Sequence, residues 1–273
     1  MRYQSFLPTP VLKEFVWNYT VIHLQFESAD LVPAKHRAPK AEQKIVFYVK
    51  GSVDLFDFKS GKVGTPPPVS IYTHQLERRV LRVSPEFFAI VVYLKPGTLY
   101  RLLRFPMTEF NQQYFDAEYF FGNEIRLARE QLADAKSIPA MIAIIEELMA
   151  KRCIRMQENA SVDQVASNVM MDPATFSVDR MANDACLSTK QFYRKFTQQI
   201  GISPKYFSRL SRFNHAYQYK LINPGISWSS IAQEFSYTDY HHLEKEFKEF
   251  LGLTPSEWVK AELAAPERIL KLR

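Results

Sequence analysis

Two hydrophobic periodicities divide this chain. Over residues 1–95, apolar side chains alternate or cluster in short runs. Residues 21–26 put Ile22, Leu24 and Phe26 on one face, which predicts a strand with one buried side. Residues 44–50, 52–58 and 80–83 are further short strands, and 87–94 (FFAIVVYL) is apolar enough for burial on both faces. Gly51, Gly61, Gly64 and the run Thr65-Pro66-Pro67-Pro68 separate them. Such a series predicts a small barrel or sandwich. After Lys95-Pro96-Gly97 the spacing turns helical at 98–104, 123–133 and 139–152, the last with Pro139 in its first turn. The short polar stretch 153–160 is the expected domain junction.

From Ser161 onward the pattern is helical throughout. Ser161 and Gln164 have capping-box spacing for a helix reaching Met171, which Asp172-Pro173 ends. Ser177 is placed to cap a helix over 177–185, and Ser188 with Gln191 to open one over 188–200. Ser203-Pro204 starts a long helix that Asn223-Pro224-Gly225 stops. Helices over 227–235 and 238–251 follow, and Pro255 opens a last short one. Within this half one pattern is written twice. Phe196-x4-Gly201-Ile202-Ser203-Pro204 returns as Phe247-x4-Gly252-Leu253-Thr254-Pro255, 51 residues on (252 − 201). Upstream, Met181-Ala182 and Ile231-Ala232 each precede a hydroxyl residue six positions after the Ala, Ser188 and Thr238. A short helix, a tight turn and a second helix, repeated, describe two helix-turn-helix units, whose second helices enter the major groove of DNA.

The expected architecture is α+β. A β-rich, barrel-like (cupin-like) N-terminal domain with accessory helices occupies 1–155, two tandem helix-turn-helix units occupy 160–260, and a tail occupies 261–273. On the helix from Ser188, Phe192, Phe196 and Ile200 form the core stripe. Lys190 and Arg194 then lie opposite it, with Gln191, Thr197 and Gln198 beside them, and Thr189, Gln191 and Lys195 join Lys190 and Arg194 as candidate DNA contacts. On the later helix Leu243 and Phe247 mark the core side, so His241 and Lys245 point outward, flanked by Tyr240 and Lys248 and by the acidic Glu244 and Glu249. Lys, Arg and Gln are the side chains that pair with guanine, adenine or phosphate. The helix from Pro204 buries Phe207, Leu210, Phe213, Tyr217 and Leu221, and leaves Lys205, Arg209 and Arg212 on other faces as phosphate contacts.

Charge is unequal between the units. Residues 185–233 hold seven bases and no acid, whereas 234–260 hold six acids against Lys245, Lys248 and Lys260. Phosphate neutralisation supplies much of DNA affinity, so the first unit is expected to lead. The chain's net charge of +6 adds little to that reading. At 273 residues and 47% hydrophobic it is long and apolar enough for two folded domains. No signal peptide or membrane-length apolar run is visible, and the two cysteines, Cys153 and Cys186, fit a reducing compartment, so a cytoplasmic protein is expected. His23, His36 and His74 are isolated, which predicts no metal site, and no catalytic group or cofactor motif is present. Cys186 is expected to pack within a helix-turn-helix turn, and Trp17, Tyr19, Phe47, Tyr48, Phe56 and Phe58 are read as core rather than as an effector pocket.

These residues resemble the AraC/XylS (arabinose-regulator) family of bacterial transcription factors over roughly 161–260. The segment from Ile231 to Trp258 carries most of the likeness. The resemblance implies base-facing positions at Lys190 and Arg194, and at Tyr240, His241, Glu244 and Lys245. It implies a sequence-specific transcription regulator, an activator in the bacterial cytoplasm, with double-stranded DNA as partner. RNA polymerase, a small-molecule effector and a second copy of the chain are the further partners it brings. One departure stands out: the family has Gly before the aromatic of the second turn, and here Ser236 precedes Tyr237. Two other classes share parts of the pattern. One is an interaction or dimerisation protein with a degenerate DNA-binding domain; the other is an enzymatic N-terminal domain, such as an alkyl acceptor, fused to a DNA reader.

Overall fold

The computed structural model describes residues 2–58, 61–110, 114–153, 161–173 and 177–265. Among the described residues the N-terminal half holds ten strands: β1 (Arg2–Phe6), β2 (Val16–Gln25), β3 (Lys35–Arg37), β4 (Gln43–Lys50), β5 (Val53–Asp57), β6 (Val63–Gly64), β7 (Val69–Tyr72), β8 (Arg79–Val83), β9 (Glu86–Leu94) and β10 (Tyr114–Asp116). They form one sheet in the order β1-β2-β9-β4-β7-β10 and a second in the order β3-β8-β5-β6, all pairs antiparallel. The five expected strands are present. β1, β3, β6, β7 and β10 were not foreseen, because runs of two to five residues carry too few positions to show a period.

The expected barrel does not close. Each sheet keeps two edges, and three of those four edge strands, β3, β6 and β10, span only two or three residues. Strands that short present little ladder to pair across the gap. The result is a two-layer stack of open sheets. Leu24, Val46, Val53, Leu55, Val83, Phe87 and Val91 fill the space between them. The outer face of the larger sheet is covered by α3 (Asn123–Asp134) and α4 (Ile138–Cys153), with Ile125, Leu132, Ile145 and Met149 packed against Tyr19, Ile45, Ile71 and Ile90. This accounts for the unbroken apolar run of β9: neighbouring residues face two different cores. Of the aromatics read as core, Tyr19 and Phe47 are fully buried, Phe58 is exposed, and Tyr48 lines a cavity between the sheets.

The helical half comprises α5 (Ser161–Met171), α6 (Val178–Asp184), α7 (Thr189–Ile200), α8 (Pro204–Ile222), α9 (Trp228–Glu234), α10 (Tyr240–Leu251) and α11 (Pro255–Leu263). The expected box at Ser161 does not form as drawn. Ser161 is already helical, and the Gln164 amide donates to Asn168 Oδ1 at 3.0 Å. Of the expected junction at 153–160, Cys153 is the last residue of α4, and 154–160, like the end of the tail, 266–273, lie outside the described residues.

The two halves share a core. Ala38 and Ala41 are buried with Val165, Phe192, Phe207, Phe213 and Trp258. Polar contacts cross the same boundary: Asn214 Nδ2 donates to the Pro39 carbonyl at 3.0 Å, and Tyr206 Oη to that of Leu76 at 3.4 Å. α1 (Thr98–Leu103) supplies an ion pair. Arg101 Nε lies 3.2 Å from Asp163 Oδ2 on α5, with side chains only 6% and 2% exposed, while Arg101 Nη1 reaches Glu14 at 2.8 Å. Gly97, with φ of +79°, is required beside this pair, since a Cβ there would overlap the Asp163 carboxylate. Removing one partner of a buried pair strands the other charge. Arg101→Ala is therefore expected to cost about 3–5 kcal/mol in denaturant unfolding. The double variant Arg101→Met/Asp163→Leu should recover most of that loss.

Candidate nucleic-acid interface

The first unit is α6, a turn, and α7. Ser177 Oγ accepts from Arg180 N and caps α6. Ser188 and Gln191 form the complete capping box of α7, which ends at Gly201 in the left-handed region (φ 96°). Phe192, Phe196 and Ile200 are fully buried, so their 3.6-residue spacing fixes which face of α7 remains outside. Lys190, Arg194 and Lys195 are exposed on it, and none forms an ion pair among the described residues. Thr189 Oγ1 donates to Asp179 at 3.0 Å and ties α7 to α6. Gln191 spends its Oε1 on the cap and keeps its amide hydrogens.

The second unit, α9 and α10, repeats this plan with one residue more. In each turn the same bond closes the first helix: Leu187 N donates to Ala182 O at 3.0 Å, and Tyr237 N to Ala232 O at 2.8 Å. Cys186 and Ser236, 50 residues apart (236 − 186), both take φ of 54°. The caps of the second helices then fall 51 apart (239 − 188), because Asp239, not Thr238, accepts from His242 N at 2.8 Å. The extra residue resolves the two offsets in the sequence repeat. Cys186, expected to pack, is instead an exposed thiol at the left-handed turn position. On α10, Leu243 and Phe247 are fully buried, His241, Lys245 and Lys248 are exposed, and Tyr240 is half-buried. Lys248 Nζ lies 3.4 Å from Glu244.

A family model described as a helix-turn-helix domain matches residues 181–261. Over 142 residues, 52% of this chain, the sequence is 25% identical to the HTH-type transcriptional activator RhaR of Escherichia coli (strain K12), and equally to RhaR of Shigella flexneri serotype 5b. The helical half is thus similar to helix-turn-helix domains and to the matched part of these transcriptional activators. The alignment spans 45% of the length of these RhaR relatives. Among solved structures, ToxT from Vibrio cholerae O395 aligns over 91% of this chain and 98% of its own, at 11% identity and a TM-score of 0.47. The AraC-like transcriptional activator CuxR aligns over 79% and 86%, at 13% identity and a TM-score of 0.27. No helix among the described residues is long and apolar enough to cross a membrane.

Within this helical domain the charge pattern needs one correction. Arg209 and Arg212 on α8, expected as phosphate contacts, face α10 instead. Arg209 Nε and Arg212 Nη2 lie 3.0 and 2.9 Å from Glu246 Oε1, and Arg209 Nη2 lies 2.7 Å from Glu249 Oε2. The hydrogen bond from Arg209 holds the Glu249 carboxyl below its ordinary range. Glu246 is 1% exposed and also accepts from Tyr237 Oη at 2.7 Å. A helical wheel places a residue on a face but does not say which helix packs there. Lys205 alone of the three stays exposed. The acid excess of the second unit is thus partly spent inside the fold, and so is the basic excess of the first. Arg212→Ala is expected to lower unfolding free energy by about 1–3 kcal/mol, since the buried Glu246 loses a donor. The slope of log K against log salt should stay as in the parent protein, whereas loss of a phosphate contact would reduce it by about 1.

Proposed function

We propose that this chain is a sequence-specific DNA-binding transcription regulator rather than an enzyme, with its N-terminal domain setting when the helical domain reads DNA. One observation carries the reading: two second helices, each capped and each buried along one stripe, expose Lys190 and Arg194 on α7 and His241 and Lys245 on α10. A single helix, α8, joins the units. Its 19 residues span about 28 Å at 1.5 Å per residue, close to the roughly 34 Å between successive major grooves on one face of B-DNA. One monomer would therefore address two neighbouring grooves. Thr189, Gln191, Lys195, Lys205, Tyr240 and Lys248 complete the proposed surface. Activation through RNA polymerase, a small-molecule effector in the N-terminal domain and self-association complete the proposed activity, in the bacterial cytoplasm.

The first unit still leads in this reading, now because Arg194, Lys190 and Lys195 keep clear of carboxylates while Lys248 shares Glu244. Arg194→Ala should weaken specific duplex binding by about 1–3 kcal/mol and relax selectivity at one base pair. Lys245→Ala should cost less in the same titration, and the reverse order would sink the assignment. The connector has its own test. One alanine inserted after Lys220 turns the second unit by about 100° while advancing it about 1.5 Å. Footprinting of a folded insertion variant should show one groove protected and the adjacent one lost; protection over both would show that α8 does not set the register.

A further inference from the structure

The Ile200 carbonyl, at the last turn of α7, accepts two side chains from the N-terminal half. His74 Nε2 lies 2.7 Å from it and Gln43 Nε2 3.4 Å. Both side chains are buried, at 7% and 3% exposure. A carbonyl only accepts, so in the neutral His74 ring the proton sits on Nε2 and Nδ1 is an acceptor. Nδ1 is itself buried, and it has no hydrogen-bond partner among the described residues. A second proton would turn it into a donor with nothing to donate to, and would place a full charge away from water.

The groups around the ring do little to hold such a charge. α8 offers the Phe207 ring, with centroids 6.1 Å apart. The 3-10 turn Met107–Glu109 offers the Met107 sulfur, 3.6 Å from Gln43 Nε2, while its Glu109 is exposed. Ahead of β4 stands Glu42, whose carboxylate is already shared by Lys40 at 3.7 Å and Lys44 at 3.0 Å. Asp57, Glu77 and Tyr114 line the same cleft as His74, but so do Lys62 and Arg79, and Arg79 meets Asp57 at 3.4 Å. Burial is the largest effect. It pushes the His74 pKa from 6.5 down to about 4, against the pull of the Ile200 carbonyl and of Glu42.

We propose that the bond between His74 and Ile200 is an acid-sensitive latch between the two halves, which opens when the imidazole takes a second proton and frees the end of α7 from the larger sheet. His74, Gln43, Ile200 and Gly201 all line one open cleft of about 670 Å3, so water reaches the ring once the bond parts. The contacts of Asn214 with Pro39 and of Tyr206 with Leu76 undergo no charge change in this range, which confines the release to α7. The closed form is the weaker base. The latch therefore holds fully above about pH 6.5 and weakens as pH falls toward 4. With those two values, one proton raises the opening constant about eightfold between pH 7.0 and 5.5. Because α7 carries Lys190 and Arg194, the same proton is coupled to duplex binding. That consequence rests on the regulator reading; the release does not.

Hydrogen exchange of the full-length protein, followed by NMR and corrected for the intrinsic pH dependence of amide exchange, reads the latch at the Gly201 amide. Gly201 N donates to Thr197 O at 2.8 Å, and Gly252 N to Lys248 O at 2.9 Å ends α10 in the same way. Protection at Gly201 should fall about eightfold between pH 7.0 and 5.5 while Gly252 holds its value. His74→Gln keeps a side-chain donor that does not titrate, and should abolish the fall. His74→Phe, which has no donor, should leave Gly201 poorly protected at both pH values. His36→Gln should behave as the parent, although His36 is a second imidazole between the halves whose pKa burial lowers, near Arg78 and Glu262. Protection at Gly201 that tracks Gly252 in the parent, a fall that survives in His74→Gln, or full protection in His74→Phe overturns the latch. Between the same pH values duplex affinity should change in the parent by about threefold or more relative to His74→Gln. Equal pH dependence overturns the coupling. Failure of the parent to bind any duplex counts against the regulator reading instead, and the exchange result scores the latch without DNA.

Discussion

The arrangement of the helical half depends on one buried aromatic file along α8. Phe207 meets Phe196 of α7 with ring centroids 5.4 Å apart, Phe213 meets Phe247 of α10 at 4.9 Å, and Tyr217 meets Trp258 of α11 at 5.9 Å. One helix thus supplies the core of both helix-turn-helix units. Each such ring removes a large apolar area from water and adds edge-to-face attraction, about 0.5–1.5 kcal/mol per pair beyond area burial. The units cannot turn about each other without opening these contacts. His74 reaches the same file from the N-terminal domain, 6.1 Å from the Phe207 ring, beside its bond to Ile200. The spacing of α7 and α10 and their link to the β-rich half therefore rest on the same side chains.

Electrostatics follow from that packing. Bringing α10 onto α8 buries Glu246, and a buried carboxylate requires donors. Arg209, Arg212 and Tyr237 supply them, and the Arg212 guanidinium lies 4.2 Å from the Tyr237 ring centroid. Charges that a sequence count assigns to DNA are here consumed by the fold. The exposed bases left on α7 are the ones beyond the reach of α10.

Much of the helical half was legible because its signals are local. Ser177, Ser188, Ser203 and Thr254 each cap the helix that follows them, and a cap needs only a hydroxyl three residues ahead of an amide that has no partner. The one displaced cap, Asp239 in place of Thr238, arose because two adjacent residues are both good caps and only the backbone path selects between them. The face of α7 was legible for the same reason: Phe192, Phe196 and Ile200 recur at helical spacing. In the N-terminal half β9 announced itself by length and apolarity. β6 and β10, at two and three residues, had no pattern to announce.

The sequence by itself determined the helices of the C-terminal half, most of their caps and the outward faces of α7 and α10, because these depend on neighbours within one turn of helix. Tertiary structure alone decided the rest. It left the two sheets open, sent Arg209 and Arg212 to Glu246, and placed Gln43 and His74, 31 residues apart (74 − 43), on one carbonyl at the end of α7. Each of these is a meeting of side chains from distant segments. Periodicity says which way a side chain points, but what it meets depends on how whole elements pack.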